Sequence, residues 1–304
     1  MLVYNRADMV PRAVECILAQ TFERFEFIIV NNGSSDNSGA VVDEYAKNDN
    51  RIKVIHKEKG NIGSGRNAGL DIATGDYIAF IDDDDWCELD FLEFLHNLIL
   101  DNNADVSICG ADSEFLMKNG EILDDKLIMT PEESLMELLQ RKRFNTTFPA
   151  KMFTRELAKT VRFSETDKYD DIFQMYKLLS EATKVVYHGI VKYTFYRNHG
   201  SNNSAWVTNH SLINAETLDE YLRAFRERTV WLTKCFPNSE QVWQYYEWSF
   251  MISMVEKINR LDLKGCESQL EFLKGELQNN REVFLNNPLI KNYESAWVNN
   301  YVTF

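Results

Sequence analysis

The chain has 304 residues, of which 44% are hydrophobic and 12% aromatic, and this composition is typical of a folded globular protein. Its formal net charge of -14 argues against nucleic-acid binding, because a nucleic-acid-binding protein needs a basic face to neutralise phosphates. Five cysteines without CxxC spacing predict neither a disulfide framework nor a zinc site. No apolar run is long enough to span a membrane. We therefore expect a cytoplasmic protein with reduced thiols.

The first hundred or so residues alternate short apolar runs with helical patterns. The runs are "FEFIIV" (25–30), "IKVIH" (52–56), "YIAFI" (77–81) and "ADVSICGA" (104–111). Strands that are apolar on both faces and alternate with helices predict an α/β fold, with a mostly parallel sheet covered on both faces. The opening "MLVYN" resembles only the end of a strand. We therefore expect the upstream half of the first strand to be absent from this sequence.

The second half of the chain changes character. Thr130, followed by Pro131 and Glu133, predicts a capped helix start. From about residue 212 onward, long stretches carry apolar residues at three- and four-residue spacing, which predicts an all-helical region. We divide the chain into domains 1–208 and 209–304. The many aromatic residues of the second domain fit either a helical core or a docking surface for a membrane or partner.

Polar clusters follow the strand end in "MLVYN" and two of the apolar runs, at 4–5, 31–34 and 82–85. Ligands of parallel sheets bind at the carboxyl ends of the strands, so these clusters predict one site. The four consecutive aspartates of "FIDDDDW" repel one another and favour a divalent cation as partner. Two other interpretations stay open. Asp85 would cap the next helix, or Asp82 and Asp84 would serve a phosphatase, although Trp86 stands where that motif needs a small hydroxyl residue.

Longer stretches of the sequence resemble one known family. "VYN", "LAQTFERFEFIIVNNGSSDNS", "RIKVIHKEKGNIGSGRNAGLDIATGDYIAFIDDDDW", "YDD" and "YRNHGSNNS" look like the inverting family 2 glycosyltransferases of the GT-A fold. The resemblance is nearly continuous to about residue 115, patchier to about 205 and absent beyond. It implies a Rossmann-like sheet, a nucleotide-diphosphate sugar as donor, and Mg²⁺ or Mn²⁺ as cofactor.

The resemblance also implies roles for matching residues. Asp84 would bind the metal directly, together with Asp82, and Asp171 would be the catalytic base beside Asp170. The nucleotide-sugar would be bound by Tyr4 (against the base), Asn5, Asn31, Asn32, Arg66, Asn67, Asp82 and Asp83, with Arg197 and His199 on a loop over the diphosphate. A helix-start cap for the pair 170–171 and a structural role for the 197–199 loop remain alternatives. Lys151 matches a basic position common in the family, without an assigned role.

One departure affects the donor. The family's "DDGS" is "NNGS" here, so Asn31 and Asn32 replace two acids. The carbonyl of Asn32 could accept the N3–H of uracil, although a neutral acceptor makes a weaker bond, and its amide could instead serve cytosine. A UDP-sugar is the favoured donor. A noncatalytic paralogue that only binds nucleotide-sugar or a partner is the main alternative. A nucleotidyltransferase is less favoured, because its Gly-rich triphosphate signature is not visible.

The acceptor is not encoded in a recognisable motif. The resemblance implies a glycan or lipid-linked acceptor, in surface polysaccharide synthesis. Five Trp and Tyr residues between Trp231 and Trp248 suggest a peripheral position at the inner face of the membrane. The sequence leaves a homo-oligomer open and predicts no nucleic-acid partner.

Overall fold

The structure is a computed structural model that describes residues 1–112, 124–196 and 209–302. It consists of two compact units, Met1–Arg197 and Asn198–Phe304. The predicted division between residues 208 and 209 stays a prediction.

The first unit alternates strands and helices. Its strands are β1 (Leu2–Val3), β2 (Phe27–Asn32), β3 (Ile52–Lys57), β4 (Tyr77–Ala79), β5 (Trp86–Cys87), β6 (Val106–Asp112), β7 (Lys126–Met129), β8 (Lys151–Thr154) and β9 (Val185–Thr194). Its helices are α1 (Val10–Leu18), α2 (Ser38–Asn48), α3 (Ile62–Ile72), α4 (Phe91–Asn102), α5 (Pro131–Gln140), α6 (Arg155–Ala158) and α7 (Asp170–Glu181). The four apolar runs of the sequence overlap β2, β3, β4 and β6 in turn, as predicted.

The strands form two sheets. The first is the expected parallel sheet, in the order β1-β2-β3, with Val3 opposite Asn31 and Asn32 opposite Lys57. The second has the order β4-β8-β6-β9-β5, with β7 also paired to β9. In this sheet β6 and β9 are parallel, whereas the other pairs are antiparallel. Leu2 also bridges to Asp82 in parallel, which brings the end of β1 beside the aspartate run.

The first strand, β1, is two residues long. Only Leu2 and Val3 are paired with β2, and the amino group of Met1 donates to the carbonyl of Ile28. A cavity of about 650 Å³ adjoins this end of the strand and is lined by residues of β1, β2 and β4, among them Tyr77. The expectation about an upstream half of β1 stays a prediction.

Local sequence signals account for two of the helix starts. The capping box at α5 is confirmed, because Thr130 accepts from the backbone N–H of Glu133 and the Glu133 carboxylate accepts from Thr130. Asn61 caps α3 by accepting from the N–H of Ser64 at 2.8 Å. The amide of Asn61 also donates to the carbonyls of Ser164 and Asp167, so the start of α3 is tied to the segment that precedes α7.

The second unit is helical where the structure describes it, as predicted. Its helices are α8 (Ala215–Cys235), α9 (Glu240–Arg260), α10 (Glu267–Asn279), α11 (Arg281–Leu285) and α12 (Asn292–Tyr301). Trp243 and Tyr245 of α9 are buried, so part of the aromatic content belongs to the helical core. In the described part of the chain, no helix combines the length and the apolar character needed to cross a membrane.

Candidate active site

The ends of β1 and β2 are joined by hydrogen bonds to the loop after β2. Asn5 has a left-handed backbone, with φ of 53°, which turns the chain immediately after β1. Its backbone N–H donates to the hydroxyl of Ser34, and its side-chain oxygen accepts from the N–H of Ser35 at 2.8 Å. Tyr4 is partly exposed, and its N–H donates to the Asp83 carboxylate at 3.1 Å. The predicted cluster 4–5 is therefore in direct contact with both of the others, 31–34 and 82–85.

The amide pair at the end of β2 is buried and hydrogen-bonded to its own protein. The amide nitrogen of Asn31 lies 3.0 Å from Nδ1 of His56. The carbonyl oxygen of Asn32 accepts from Nζ of Lys57 and from the N–H of Gly60, both at 3.1 Å, and its amide donates to the carbonyl of Gly60 at 2.9 Å. Both polar atoms of Asn32 are therefore engaged by β3 and the loop that follows it.

Arg66, on α3, joins two carboxylates that are far apart in the sequence. Its guanidinium donates to Asp170 at 2.7 Å and lies 3.6 Å from the carboxylate of Asp82. The side chains of Arg66 and Asp170 are only 11% and 5% exposed, so little water competes for this contact. Burial alone would lower the pKa of Arg66, but Asp170 and Asp82 raise it above its ordinary value. Arg66 therefore remains charged and holds the two acidic segments together.

The four aspartates have different partners. Asp82 has a side chain that is 43% exposed. Asp84 forms an ion pair with Arg6 at 3.5 Å, and its backbone carbonyl accepts from Arg12. Asp85 is 2% exposed and accepts from the hydroxyl of Tyr193 and the N–H of Tyr196, both at 2.7 Å.

The expectation that Asp85 caps the next helix is wrong. The residue at the N-terminal cap of α4 is Asp90. The chain between Asp85 and α4 forms the short strand β5, which pairs with β9, and this pairing brings Asp85 against Tyr193. The long-range pairing determines the position of Asp85, and nothing in the local sequence signals it.

The carboxylates raise one another's pKa values. Burial, followed by repulsion from Asp84, raises the pKa of Asp83 to about 7. Burial, followed by the charge of Asp82, raises the pKa of Asp84 above its ordinary value and that of Asp85 to about 8. Because a further positive charge would stabilise their ionised forms, this end of the sheet is suited to a cation or a cationic complex.

Asp170 and Asp171 occupy the first turn of α7. Burial raises the pKa of Asp170 to about 6, although Arg66 acts in the opposite direction. The carboxylate of Asp171 accepts from the hydroxyl of Thr146 at 3.2 Å and from the backbone N–H of Ile172 at 2.9 Å. Asp170 is therefore bound to Arg66 and the adjoining Asp171 is only partly buried, so the two acids have different environments.

Other predicted residues have structural contacts or lie outside the described chain. The side chain of Asn67 is buried and exchanges two hydrogen bonds with the backbone of Phe163, at 2.9 and 3.0 Å. Its predicted contact with nucleotide-sugar stays a prediction. Arg197 and His199 lie outside the described residues. The structure thus brings Arg66, Asp82 and the 170–171 pair together, with Tyr4 joined through Asp83.

Two arginines near the site were missed by the sequence reasoning. Arg6 directly follows "VYN" and pairs with Asp84, and Arg12 on α1 lies over the ring of Trp86 at 4.3 Å. The position of Arg6 next to a recognised motif was the available signal. For Arg12 no local signal exists, because its contact depends on the packing of α1 against β5.

The donor atoms for a metal ion are carboxylate oxygens. Within residues 1–112, 124–196 and 209–302, no group of three or more acidic, His or Cys side chains is arranged to hold a metal. Magnesium and manganese, however, need only one or two carboxylates when water and phosphate complete the shell. Asp82 and Asp84 are such a pair, and their repulsion is relieved by a cation, so the residues fit a hard divalent ion.

Comparison with known proteins decides the family. The sequence matches the model of the family described as "Glycosyl transferase family 2" over residues 1–162, more than half of the chain. The chain belongs to this family. Glycosyltransferase GlyG of Streptococcus pneumoniae serotype 4 is 31% identical over 211 residues, which cover 66% of this chain and 70% of GlyG. Glycosyltransferase GlyA of the same organism is 29% identical over 70% of this chain but only 32% of GlyA, so the chain spans about a third of that relative.

Solved structures share the fold of this family 2 glycosyltransferase. TarS of S. aureus, in complex with UDP-GlcNAc, superposes with a TM-score of 0.75 over 99% of this chain and 88% of TarS, at 18% identity. The mannosyltransferase PcManGT of Pyrobaculum calidifontis, in complex with GDP-Man and Mn²⁺, gives 0.60 over 98% and 76% of the two chains, at 14% identity. These likenesses confirm the predicted α/β GT-A fold with its helical C-terminal region.

Proposed function

We propose that this glycosyltransferase transfers a sugar with inversion from a nucleotide-diphosphate donor, preferably a UDP-sugar, and requires Mg²⁺ or Mn²⁺. The contact of Arg66 with both Asp82 and Asp170 is the observation that carries the proposal. Through this contact the Asp-x-Asp segment and the 170–171 pair both adjoin the buried guanidinium of Arg66. The donor-binding and acceptor-binding parts of the site would then lie next to each other. TarS with UDP-GlcNAc and PcManGT with GDP-Man and Mn²⁺ support the donor class and the metal by analogy of fold.

Asp171 would act as the general base. Inverting transfer needs a group that removes the proton of the acceptor hydroxyl while that oxygen attacks the sugar, and a positioned carboxylate can do this. The hydroxyl of Thr146 and the N–H of Ile172 orient the Asp171 carboxylate. Asp170 cannot take this role while it is bound to Arg66. Asp170 would instead keep the guanidinium of Arg66 in place.

The aspartate run would hold the diphosphate end of the donor through a cation. Asp84, with Asp82, would bind the divalent ion, which supplies positive charge to the diphosphate as the leaving group develops. Arg6, now paired with Asp84, and Arg12 on its backbone carbonyl keep this segment in place. Arg197 and His199 are proposed to close over the same diphosphate.

The nucleoside would lie between Tyr4 and the loops after β2 and β3. The ring of Tyr4 is partly exposed and can pack against a base, with Nζ of Lys59 4.6 Å from its centre. The Asn32 carbonyl already accepts two hydrogen bonds, so a uracil N3–H would share that oxygen with Lys57 or replace it. We propose UDP on the family resemblance, and the identity of the base is the first question for experiment.

The acceptor is proposed to be a glycan or lipid-linked oligosaccharide of surface polysaccharide synthesis. This proposal rests on the resemblance and on the class of relatives, because the described residues carry no acceptor motif. We also propose peripheral association with the inner face of the membrane and self-association.

The decisive experiment is a screen of UDP-, GDP- and CDP-sugars for hydrolysis with Mn²⁺, Mg²⁺ or EDTA. We expect metal-dependent release of UDP from one sugar donor even without acceptor. The Asp84→Asn variant should lose this release, whereas Asp101→Asn, at an exposed aspartate of α4, should keep it. Equal release with EDTA would contradict the metal, and preference for GDP or CDP in calorimetry would contradict the proposed base. Nucleotide-sugar binding without any release, with all donors, would favour the noncatalytic alternative.

A further inference from the structure

Two cysteine thiols outside the proposed mechanism face each other. Cys16 lies on α1 and Cys87 on β5, 71 residues apart, and their sulfurs are 3.6 Å from one another. All five cysteines are free in the structure, and Cys87 is buried whereas Cys16 is partly exposed. The amide of Gln20 donates to the Cys87 sulfur at 3.4 Å and to the carbonyl of Glu88 at 2.7 Å, which fixes this side of the pair.

The two sulfurs differ in reactivity. The hydrogen bond from the Cys87 thiol lowers the pKa of Cys16, and the same contact, together with burial, raises the pKa of Cys87. The thiolate is the nucleophile in thiol–disulfide exchange, so Cys16 is both the more ionised and the more accessible member. Cys87 is buried beside it and can attack only what Cys16 presents.

We propose that Cys16 and Cys87 are a disulfide-forming pair that reacts with small-molecule disulfides and ties α1 to β5. The Cys16 thiolate attacks one sulfur of the oxidant disulfide and releases the first thiolate. Cys87 then gives up its proton, its sulfur attacks the Cys16 sulfur, and the second thiolate leaves. Two protein thiols are oxidised to one disulfide while one small-molecule disulfide is reduced to two thiols.

The geometry allows this bond with a small movement. A disulfide has a sulfur–sulfur length of about 2.0 Å, so two sulfurs that are 3.6 Å apart must approach by about 1.6 Å. The Cys16 thiol also donates to the carbonyl of Ala13 in the preceding turn of α1. Rotation of its side chain can release this bond and turn the sulfur towards β5.

The bond would close next to the aspartate run. Arg12 lies one turn before Cys16 on α1, donates to the carbonyl of Asp84 at 2.5 Å and stacks on Trp86, the residue before Cys87. A disulfide between α1 and β5 would therefore lie across the same packing contact that places Arg12 against the carbonyl of Asp84. Because the crosslink closes a long loop, it also restricts the unfolded chain and should raise the unfolding temperature.

The test uses the whole protein, reduced, desalted and incubated with oxidised glutathione. We expect a peptide pair that links Cys16 to Cys87 after digestion and is two hydrogen atoms lighter than the two reduced peptides together. We also expect a higher unfolding temperature and reversal of both changes by dithiothreitol. Cys16→Ser and Cys16→Ala should both abolish the linked peptide. Cys235→Ser, at an exposed cysteine of the second unit, should not.

Three results would overturn the proposal. One is a glutathione adduct on Cys16 that persists without linkage to Cys87. Another is a wild-type protein in which Cys87 remains fully alkylatable after denaturation. The third is an oxidised, linked protein whose unfolding temperature is unchanged, which would contradict the tie between α1 and β5. Peptide mapping of the wild-type protein decides the first two without any variant, so a folding defect of a cysteine variant does not affect them.

Discussion

The buried carboxylates of the two units are held in different ways. In the helical unit, Glu294 is 1% exposed and accepts from the hydroxyls of Tyr245 and Ser249 and from the backbone N–H of Lys291. Glu247 accepts from Arg226 at 2.7 Å. Every one of these contacts is with a donor of the same unit, so the protein itself supplies hydrogen-bond donors to Glu294 and a cationic partner to Glu247.

In the first unit, acids are packed beside other acids. The pKa of Asp83 rises to about 7, that of Asp85 to about 8 and that of Asp170 to about 6, with burial as the largest cause and neighbouring carboxylates adding to it. Arg66 and Arg6 compensate this charge only in part. Such crowding destabilises a protein on its own, and strongly shifted groups in a cluster are characteristic of functional sites. We therefore interpret the buried acids of the helical unit as structural and propose chemical roles for those of the first unit.

The largest effect that would test this comparison is on catalysis. We expect Asp171→Asn to lower the rate of sugar transfer by roughly 10²- to 10⁴-fold, because the general base is lost. The amide oxygen can still accept from the N–H of Ile172, and the amide nitrogen can donate to the hydroxyl of Thr146, so nucleotide binding and the unfolding midpoint should change little. Transfer rates, calorimetry with the preferred nucleoside diphosphate and urea unfolding measure the three quantities. Full transfer activity in this variant would contradict the assignment of the base.

The opposite pattern is expected for Glu294 in the second unit. Glu294→Gln keeps the shape but makes the charge-assisted hydrogen bonds from Tyr245 and Lys291 neutral and weaker, and it turns the acceptor that faces Ser249 into an amide donor. Weakening buried hydrogen bonds to a charged group in this way costs about 1–3 kcal/mol. We therefore expect a lower urea midpoint with unchanged transfer activity per folded molecule. Glu271→Gln, at an exposed glutamate of α10, is the matched control and should leave the midpoint unchanged. A Glu294→Gln protein that loses transfer activity but keeps the wild-type urea midpoint would contradict the structural role of Glu294.

The sequence was informative where the signal is local. The strand runs, the Thr130 capping box and the aspartate run each lie within a few consecutive residues, so their type and approximate place were predictable. The contact of Arg66 with Asp170 joins residues 104 positions apart, and no local sequence pattern in either segment indicates that they are in contact. The same holds for Asn32, whose family position suggested a base contact, whereas its hydrogen bonds to Lys57 and Gly60 depend on the pairing of β2 with β3.

Lys151, for which the sequence predicts no role, contrasts with the buried acids because it is a buried basic residue. Its side chain is buried on β8, and Nζ donates to the carbonyl of Thr147 at 2.5 Å. Thr147 follows Thr146, whose hydroxyl binds Asp171, so Lys151 supports the loop that orients the proposed base. Burial lowers the pKa of Lys151 from 10.5 to about 7.

The last and smallest effect concerns the pH dependence of stability. Between pH 7 and 10.5 the unfolded chain keeps the Lys151 proton while the folded protein has released it, so this lysine makes the free energy of unfolding rise with pH. The expected slope is at most about 1.4 kcal/mol per pH unit. Lys151→Met removes the titrating group, so its stability should rise less than that of the wild type between pH 7.5 and 8.5. Urea unfolding at the two pH values measures the difference. Parallel pH profiles of the two proteins would contradict this prediction and show that Lys151 stays protonated in the folded state.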